Sequence, residues 1–237
     1  MDHTGYITLT RQSGLMREMQ IVANNIANAA TTGFRQEGLV FSEYVQRSGN
    51  APSVSVAHGN VSSISHMQGS LKETGGMFDL AIEGDGFFLV QTAAGERLTR
   101  AGSFSSSADG ELVTPDGHPV LDPGGAPVFV PPGATDVSIA QDGTLTVDGQ
   151  PLGQIAVVVP SEPGILRREA GAMFRSESGF DPVAEPRVLQ GYVEASNVNA
   201  VSQLARMIEV QRAYEMGQSF LDAENDRVRE AIRSLNR

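Results

Sequence analysis

Between residues 207 and 235, side chains recur at alternating steps of three and four: Met207, Val210, Tyr214, Gly217, Leu221, Glu224, Val228, Ala231 and Leu235. Seven of the nine positions are apolar, so the spacing predicts one long helix with a heptad seam of coiled-coil type. Charged groups flank the seam, among them Glu209, Arg212, Glu215, Asp226, Arg229, Glu230 and Arg233, and Asn197 or Asn199 can cap its start. A shorter stripe, Leu15, Met19, Val22 and Ile26, predicts a second helix near the N-terminus with a stop signal at Gly33.

From Met77 onward the period changes. Short β-prone runs such as Phe87-Phe88-Leu89-Val90, Glu111-Leu112-Val113-Thr114 and Thr144-Leu145-Thr146-Val147 alternate with turn signals. Asp-Gly occurs five times, beginning at Asp85, Asp109, Asp116, Asp142 and Asp148, and this dipeptide favours hairpin turns. The stretch 137–159 fits three strands joined by such turns, at Val137 to Ile139, Thr144 to Val147 and Ile155 to Val159. The pattern predicts an α+β chain: N- and C-terminal helices forming an α-helical coiled-coil core domain, and a central antiparallel β domain of barrel or sandwich form. The expected boundaries are 1–47 for the N-terminal helical segment, 48–76 for an extended linker, 77–187 for the β domain and 188–237 for the C-terminal helix.

Magnitudes show that these helices need partners. Burying seven mostly aliphatic seam residues yields roughly 10–20 kcal/mol gross, whereas ordering about 30 residues costs roughly 1–2 kcal/mol each. A free chain is therefore expected to keep its ends partly disordered, and to order them against each other or against neighbouring chains.

Composition sharpens this three-part division. All 12 prolines lie between Pro52 and Pro186, and 20 of the 26 glycines lie between Gly49 and Gly179. Residues 1–47 and 200–237 are each neutral, so the net charge of −11 belongs to the middle. That acidity argues against a nucleic-acid partner, whose phosphates call for Lys and Arg. With no cysteine among the 237 residues there is no disulfide or thiolate chemistry, which suits a chain that crosses membranes unfolded. No run approaches the ~18 apolar residues of a membrane span. Arg11, Arg17 and Glu18 interrupt the first 30 residues, so no cleavable signal peptide is expected.

Candidate chemistry is sparse. His3, His58, His66 and His118 are scattered, and no His-Glu-x-x-His or Gly-x-Ser-x-Gly occurs. The only lysine, Lys72, follows Leu71, which excludes a phosphate loop, and Gly84-Asp85-Gly86 fails as a nucleotide fingerprint because Leu89 takes the third glycine position. Glu83 and Asp85 flank a turn and read as structural. No enzyme activity, metal, cofactor or small-molecule substrate is expected.

What stands out is Ala23-Asn24-Asn25-Ile26-Ala27-Asn28, where Asn24 and Asn28 share one helical face. Asparagine is a mediocre helix former. The cluster reads either as fraying ahead of Gly33 or as buried amides that fix register between packed helices. With Thr32-Gly33-Phe34 it resembles the N-terminal signature of the flagellar basal-body rod and hook family. Three further segments agree in order: Asp79 to Val90 around Gly84-Asp85-Gly86-Phe87, Arg100-Ala101-Gly102-Ser103-Phe104 with Asp109 to Val113, and Gln190-Gly191-Tyr192-Val193-Glu194-Ala195-Ser196-Asn197 through Tyr214-Glu215. The opening Tyr6 to Gln12 with Arg17-Glu18-Met19 is most similar to proximal rod subunits, with distal rod subunits next. Ala29-Ala30 departs from the family's usual asparagine or valine there, which removes one amide contact.

The resemblance implies a subunit of the flagellar basal-body rod in the periplasm. It implies export through the flagellar type III apparatus, and self-assembly with other copies and other rod proteins into a helical shaft that transmits motor torque. It further implies that Leu15, Met19, Val22 and Ile26 pack against Met207, Val210, Tyr214 and Leu221, with Ile208 and Val228 in the same assembly interface. Asn24, Asn25 and Asn28 would set register, and Arg212 and Glu215 would form rim ion pairs. Gly33, Gly84, Asp85, Gly86 and Gly102 would serve as structural turns. The competing readings are a secreted β-domain binding module dimerised by its helices, and an enzyme built on Glu83 and Asp85.

Overall fold

The computed structural model describes residues 3–46, 54–162, 166–169 and 171–235. The side chains of residues 3–7, 40–46, 54–62 and 235 lie outside this description, and with them those of His3, His58 and Leu235, as do residues 48–53 of the expected linker. The chain divides into two compact units. No described helix is long and apolar enough to cross a membrane.

The first unit contains α1 (His3–Ala27), β1 (Glu37–Gln46), β2 (Val54–Ile64) and α2 (Ala200–Leu235). The strands pair as an antiparallel hairpin, so the segments read as N-terminal helix and linker also contribute a two-stranded ribbon. Asn199 caps α2: its Oδ1 accepts from the Ser202 amide at 3.1 Å. Asn197, the other cap candidate, instead donates to the Met67 carbonyl in the second unit to which both belong.

The second unit spans residues 29–35 and 66–197. It begins with β3 (Leu71–Glu73), β4 (Leu80–Ile82), β5 (Phe87–Thr92), β6 (Gly95–Thr99), β7 (Ser105–Ser106) and β8 (Leu112–Val113). It continues with β9 (Val137–Ile139), β10 (Thr144–Val147), β11 (Gln150–Gln154) and β12 (Val157–Pro160). Last come β13 (Leu166–Arg168), β14 (Met173–Ser176), β15 (Phe180–Pro182), β16 (Val188–Gln190) and β17 (Tyr192–Glu194). The largest sheet has the order β13-β14-β6-β5-β12-β15. Phe87 to Val90 of β5 are all buried, as a continuous apolar run in a strand covered on both faces should be. The Asp-Gly signal holds at β10–β11: Asp148 and Gly149 have φ of 50° and 76°, the two positive values that a type I′ hairpin requires. Strands β17 and β16, near the end of the unit, pair with β3 and β4 near its beginning.

The expected fold class needs correction. The described residues contain two helices and a strand-rich central region whose main sheet is an open half-barrel edged by β13 and β15. Among the described residues there is no closed barrel and no coiled-coil core. A coiled coil buries apolar knobs in apolar holes. Here the buried positions on the two helices include the polar Gln12, Glu18, Asn25 and Gln203 beside the apolar Val22 and Val210. The 3–4 spacing of α2 is present, but polar groups of α1 occupy the space facing it.

Candidate functional site

Within the helical unit, α1 and α2 run antiparallel: Gln12 Nε2 donates to the Tyr214 carbonyl at 3.2 Å, and Asn25 Nδ2 donates to Gln203 Oε1 at 3.2 Å. Of the predicted apolar stripe, Val22 is buried and Leu15, Met19 and Ile26 are half-buried. On α2, Val210 is buried, and Met207, Tyr214 and Leu221 are half-buried. Gly217 lets the helices approach, since a Cβ there would meet Gln12 Nε2 at 2.7 Å.

Among the described residues of this unit Asn25 is the most buried polar group, 1% exposed. Its Nδ2 donates to the Glu37 carbonyl at 2.7 Å and its Oδ1 accepts from the Glu37 amide at 3.0 Å. The amide thus closes a two-bond ring with the first residue of β1 while also reaching α2. The end of α1, the start of β1 and the start of α2 meet on one side chain. Asn24 is exposed and Asn28 half-buried; Asn28 Nδ2 donates to both oxygens of Asn24 at 2.9 Å, a local pair along the helix.

The ion pair across the helices is one that periodicity did not single out. Arg206 Nε donates to buried Glu18 Oε1 at 2.7 Å, and that hydrogen bond holds the Arg206 guanidinium above its ordinary pKa. Arg212 is exposed, and Glu215 accepts from Gln211 at 3.0 Å.

Apolar groups that neither helix covers face outward. Val201 is 77% and Met216 67% exposed, and Leu204, Ile208 and Phe220 are each about half exposed. At ~100° per residue, Ile208 and Val201 lie roughly opposite the side that carries Gln203 and Val210, and Leu204 lies on the flank. A groove of ≈ 460 Å³ beside the pair is lined by Leu15, Met216, Gly217 and Phe220 among others. Helix α2 has 36 residues against 25 in α1, an excess of about 16 Å at ~1.5 Å per residue. With 12 opposite 214 and 25 opposite 203, that excess falls at the C-terminal end, where Val228 and Ile232 are exposed.

In the second unit, residues from the other signature segments meet. Glu194 of β17 is 1% exposed. Its Oε1 accepts from Arg35 Nη2 and from the Gly69 amide, each at 3.0 Å, and its Oε2 accepts from Arg100 Nη1 at 3.1 Å. Arg35 also donates to the carbonyls of His66 and Met67, and Arg100 to those of Ile82 and Gly84. Burial pushes the Arg100 guanidinium down to about 10, with Glu194 opposing that shift, and it lowers Arg35 in the same way. Gly33 donates its amide to the Glu194 carbonyl at 2.7 Å. Gly84, Asp85 and Gly86 form the turn between β4 and β5, and Gly102 packs against the Leu80 backbone. Glu83 pairs with Arg187 at the surface. His66 is exposed ahead of β3, and His118 is half-buried in the turn after β8.

Three family models match the chain. The flagella basal body rod protein model covers residues 6–35, the flagellar hook protein FlgE/F/G D1 domain covers 81–147, and the flagellar basal body rod FlgEFG protein C-terminal model covers 189–234. The chain is 38% identical to a flagellar basal-body rod protein FlgF of Caulobacter vibrioides, over 100% of this chain and 99% of that one. It is 37% identical to the FlgF of Mesorhizobium japonicum, over 99% and 98%. A flagellar basal-body rod protein FlgG of Caulobacter vibrioides is 33% identical over 90% of this chain and 92% of its own length.

Proposed function

The chain belongs to the flagellar basal-body rod protein family, and we propose that it is the proximal rod subunit, exported through the flagellar type III apparatus and packed into the rod by its two helices. As a member of that family it is a structural subunit of the flagellar basal body and not an enzyme. The observation that carries the packing is α2 itself. One side is engaged with α1, while Val201, Leu204, Ile208, Met216 and Phe220 stand in solvent. Burying those exposed portions between subunits would return roughly 4–9 kcal/mol gross per chain. Repeated over copies related by a non-closing rotation, such a contact generates a helical tube. On this reading Leu15, Met19, Ile26, Met207, Ile208, Leu221 and Val228 complete their burial in the rod, and Asn25 sets the register of the helix pair. The full-length match to FlgF relatives supports the proximal position. The match to a FlgG supports the distal position as the second reading.

Deletion of the gene followed by imaging of basal bodies tests this. A rod stopped as a short stub at its inner end is expected. A rod lacking only its outer end would transfer the assignment to the distal position, and complete basal bodies would overturn both.

A further inference from the structure

The buried cluster of Arg35, Arg100 and Glu194 places two cations and one anion at 1–4% exposure. The Nε–H groups of both arginines have no hydrogen-bond partner among the described residues. Such a cluster is a poor stabiliser, because well-packed apolar residues of similar volume usually serve stability as well or better. Its geometry suits another task. The two guanidinium groups and one carboxylate tie together the arm 29–35 that leaves the first helix, the turn after β4, the loop that follows β6, and strand β17, which leads toward the second helix. Backbone bonds reinforce the same join: the Gly33 amide donates to the Glu194 carbonyl, and the Asn197 amide donates to the Phe34 carbonyl at 3.2 Å. The Arg168 guanidinium lies 4.1 Å from the centre of the Phe34 ring and 4.9 Å from that of Phe174, and it also donates to the Arg35 carbonyl. Arm 29–35 is thus held by charge, by stacking and by main-chain bonds.

We propose that Arg35, Arg100 and Glu194 are positioning residues that lock the two chain passages leading to the helices against each other and against the β body. Rigidity there is what a torque-bearing subunit needs, so the functional half of the proposal rests on the rod reading. Fork geometry matters as much as charge, since each guanidinium must reach the carboxylate and two carbonyls at once.

The test uses the full chain, which lacks cysteine, with spin labels at Ala30→Cys on the arm and Ser70→Cys on the body, both exposed. Pulsed electron-spin distance measurements are expected to give a narrow distribution in the parent and one at least twice as wide in Glu194→Gln. The combined change Arg35→Met, Arg100→Met, Glu194→Leu is expected to keep the parental thermal midpoint with a wide distribution, and to reduce swimming expansion at least threefold. A narrow distribution in that folded variant, or parental swimming despite a wide one, overturns the proposal. Should the triple variant fail to fold, Arg35→Lys decides, because it keeps the charge and loses the fork: widening supports the lock and a parental width overturns it. Failure of the rod reading shows separately, as normal swimming in the deletion strain, and leaves the distance measurement standing.

Discussion

Gly33→Ala separates two reasons why a glycine is required. Its φ is +68°, and a Cβ would sit 2.2 Å from the Ala101 nitrogen and 2.3 Å from the Arg100 carbonyl carbon. The left-handed conformation costs about 1–2 kcal/mol for alanine. Relief of the backbone clash moves the arm away and opens the 2.7 Å bond from the Gly33 amide to the Glu194 carbonyl, a buried loss of about 1–3 kcal/mol. The sum is about 2–5 kcal/mol, or a fall in thermal midpoint of roughly 8–20 °C for a unit of this size. Gly75 supplies the control: its φ is +69° and nothing lies within 4 Å of an added Cβ, so Gly75→Ala should show the backbone cost alone. Calorimetric unfolding of both variants gives the close-approach contribution as a difference. Equal losses, or a smaller loss for Gly33→Ala, would refute the reading that arm and loop are in contact.

Asn25→Ala removes the hydrogen bonds to the Glu37 amide and carbonyl and to the Gln203 oxygen; helical ellipticity at 222 nm should melt at lower denaturant, by about 2–4 kcal/mol, with the β unit unchanged. Leu221→Asp and Ile26→Asp place a charge in surfaces expected to be buried in the rod; swimming should be lost in soft agar while the β unit keeps its calorimetric transition, and normal swimming in both would remove these residues from the interface. Asp142 is held below the usual carboxylate range, first by the Thr144 amide and then by its hydroxyl. A depressed folded pKa gives stability that is present above the ordinary carboxylate value and is lost as the pH falls through the folded one. Thr144→Val removes the hydroxyl bond, so the Asp142 titration followed by NMR should move upward, though not fully to the ordinary value.

Local periodicity made the helices, the Asp-Gly turn at Asp148 and the strand Phe87 to Val90 legible, because each is set by residues within one or two turns of chain. The pattern of 137–159 predicts three strands, and three pair there, but the third is Gln150–Gln154, while Val157–Pro160 joins the large sheet. A short apolar run does not say which sheet it enters. The coiled-coil expectation failed for a different reason. Spacing counts apolar positions and is blind to polar groups whose partners are distant, such as Asn25 with Gln203, 178 residues away. The amide cluster signalled that something was paired, but Asn25 alone of the three is fully buried, and Asn24 and Asn28 pair locally. The Arg35–Glu194–Arg100 cluster joins residues 94 or more positions apart through Glu194. Its only trace in the sequence is a glutamate in the middle of a strand-forming motif.

The polar character of the α1–α2 contact has a consequence for assembly. A helix pair sealed by an apolar heptad seam buries within one chain the side chains that a rod needs between chains. Here the intrachain contact is specified by directional bonds, Gln12 to the Tyr214 carbonyl, Arg206 to Glu18, and Asn25 to Gln203 and Glu37, each of which forms in one register and is lost in others. Net stabilisation from such bonds is modest, at about 1 kcal/mol each, so they choose a geometry more than they supply energy. The apolar area of Val201, Leu204, Ile208, Met216 and Phe220 remains unspent. Geometry and adhesion therefore reside on different side chains. Polar substitutions in the α1–α2 contact should misalign subunits that still associate, whereas charges placed on the outer face of α2 should leave a well-formed subunit unable to stack.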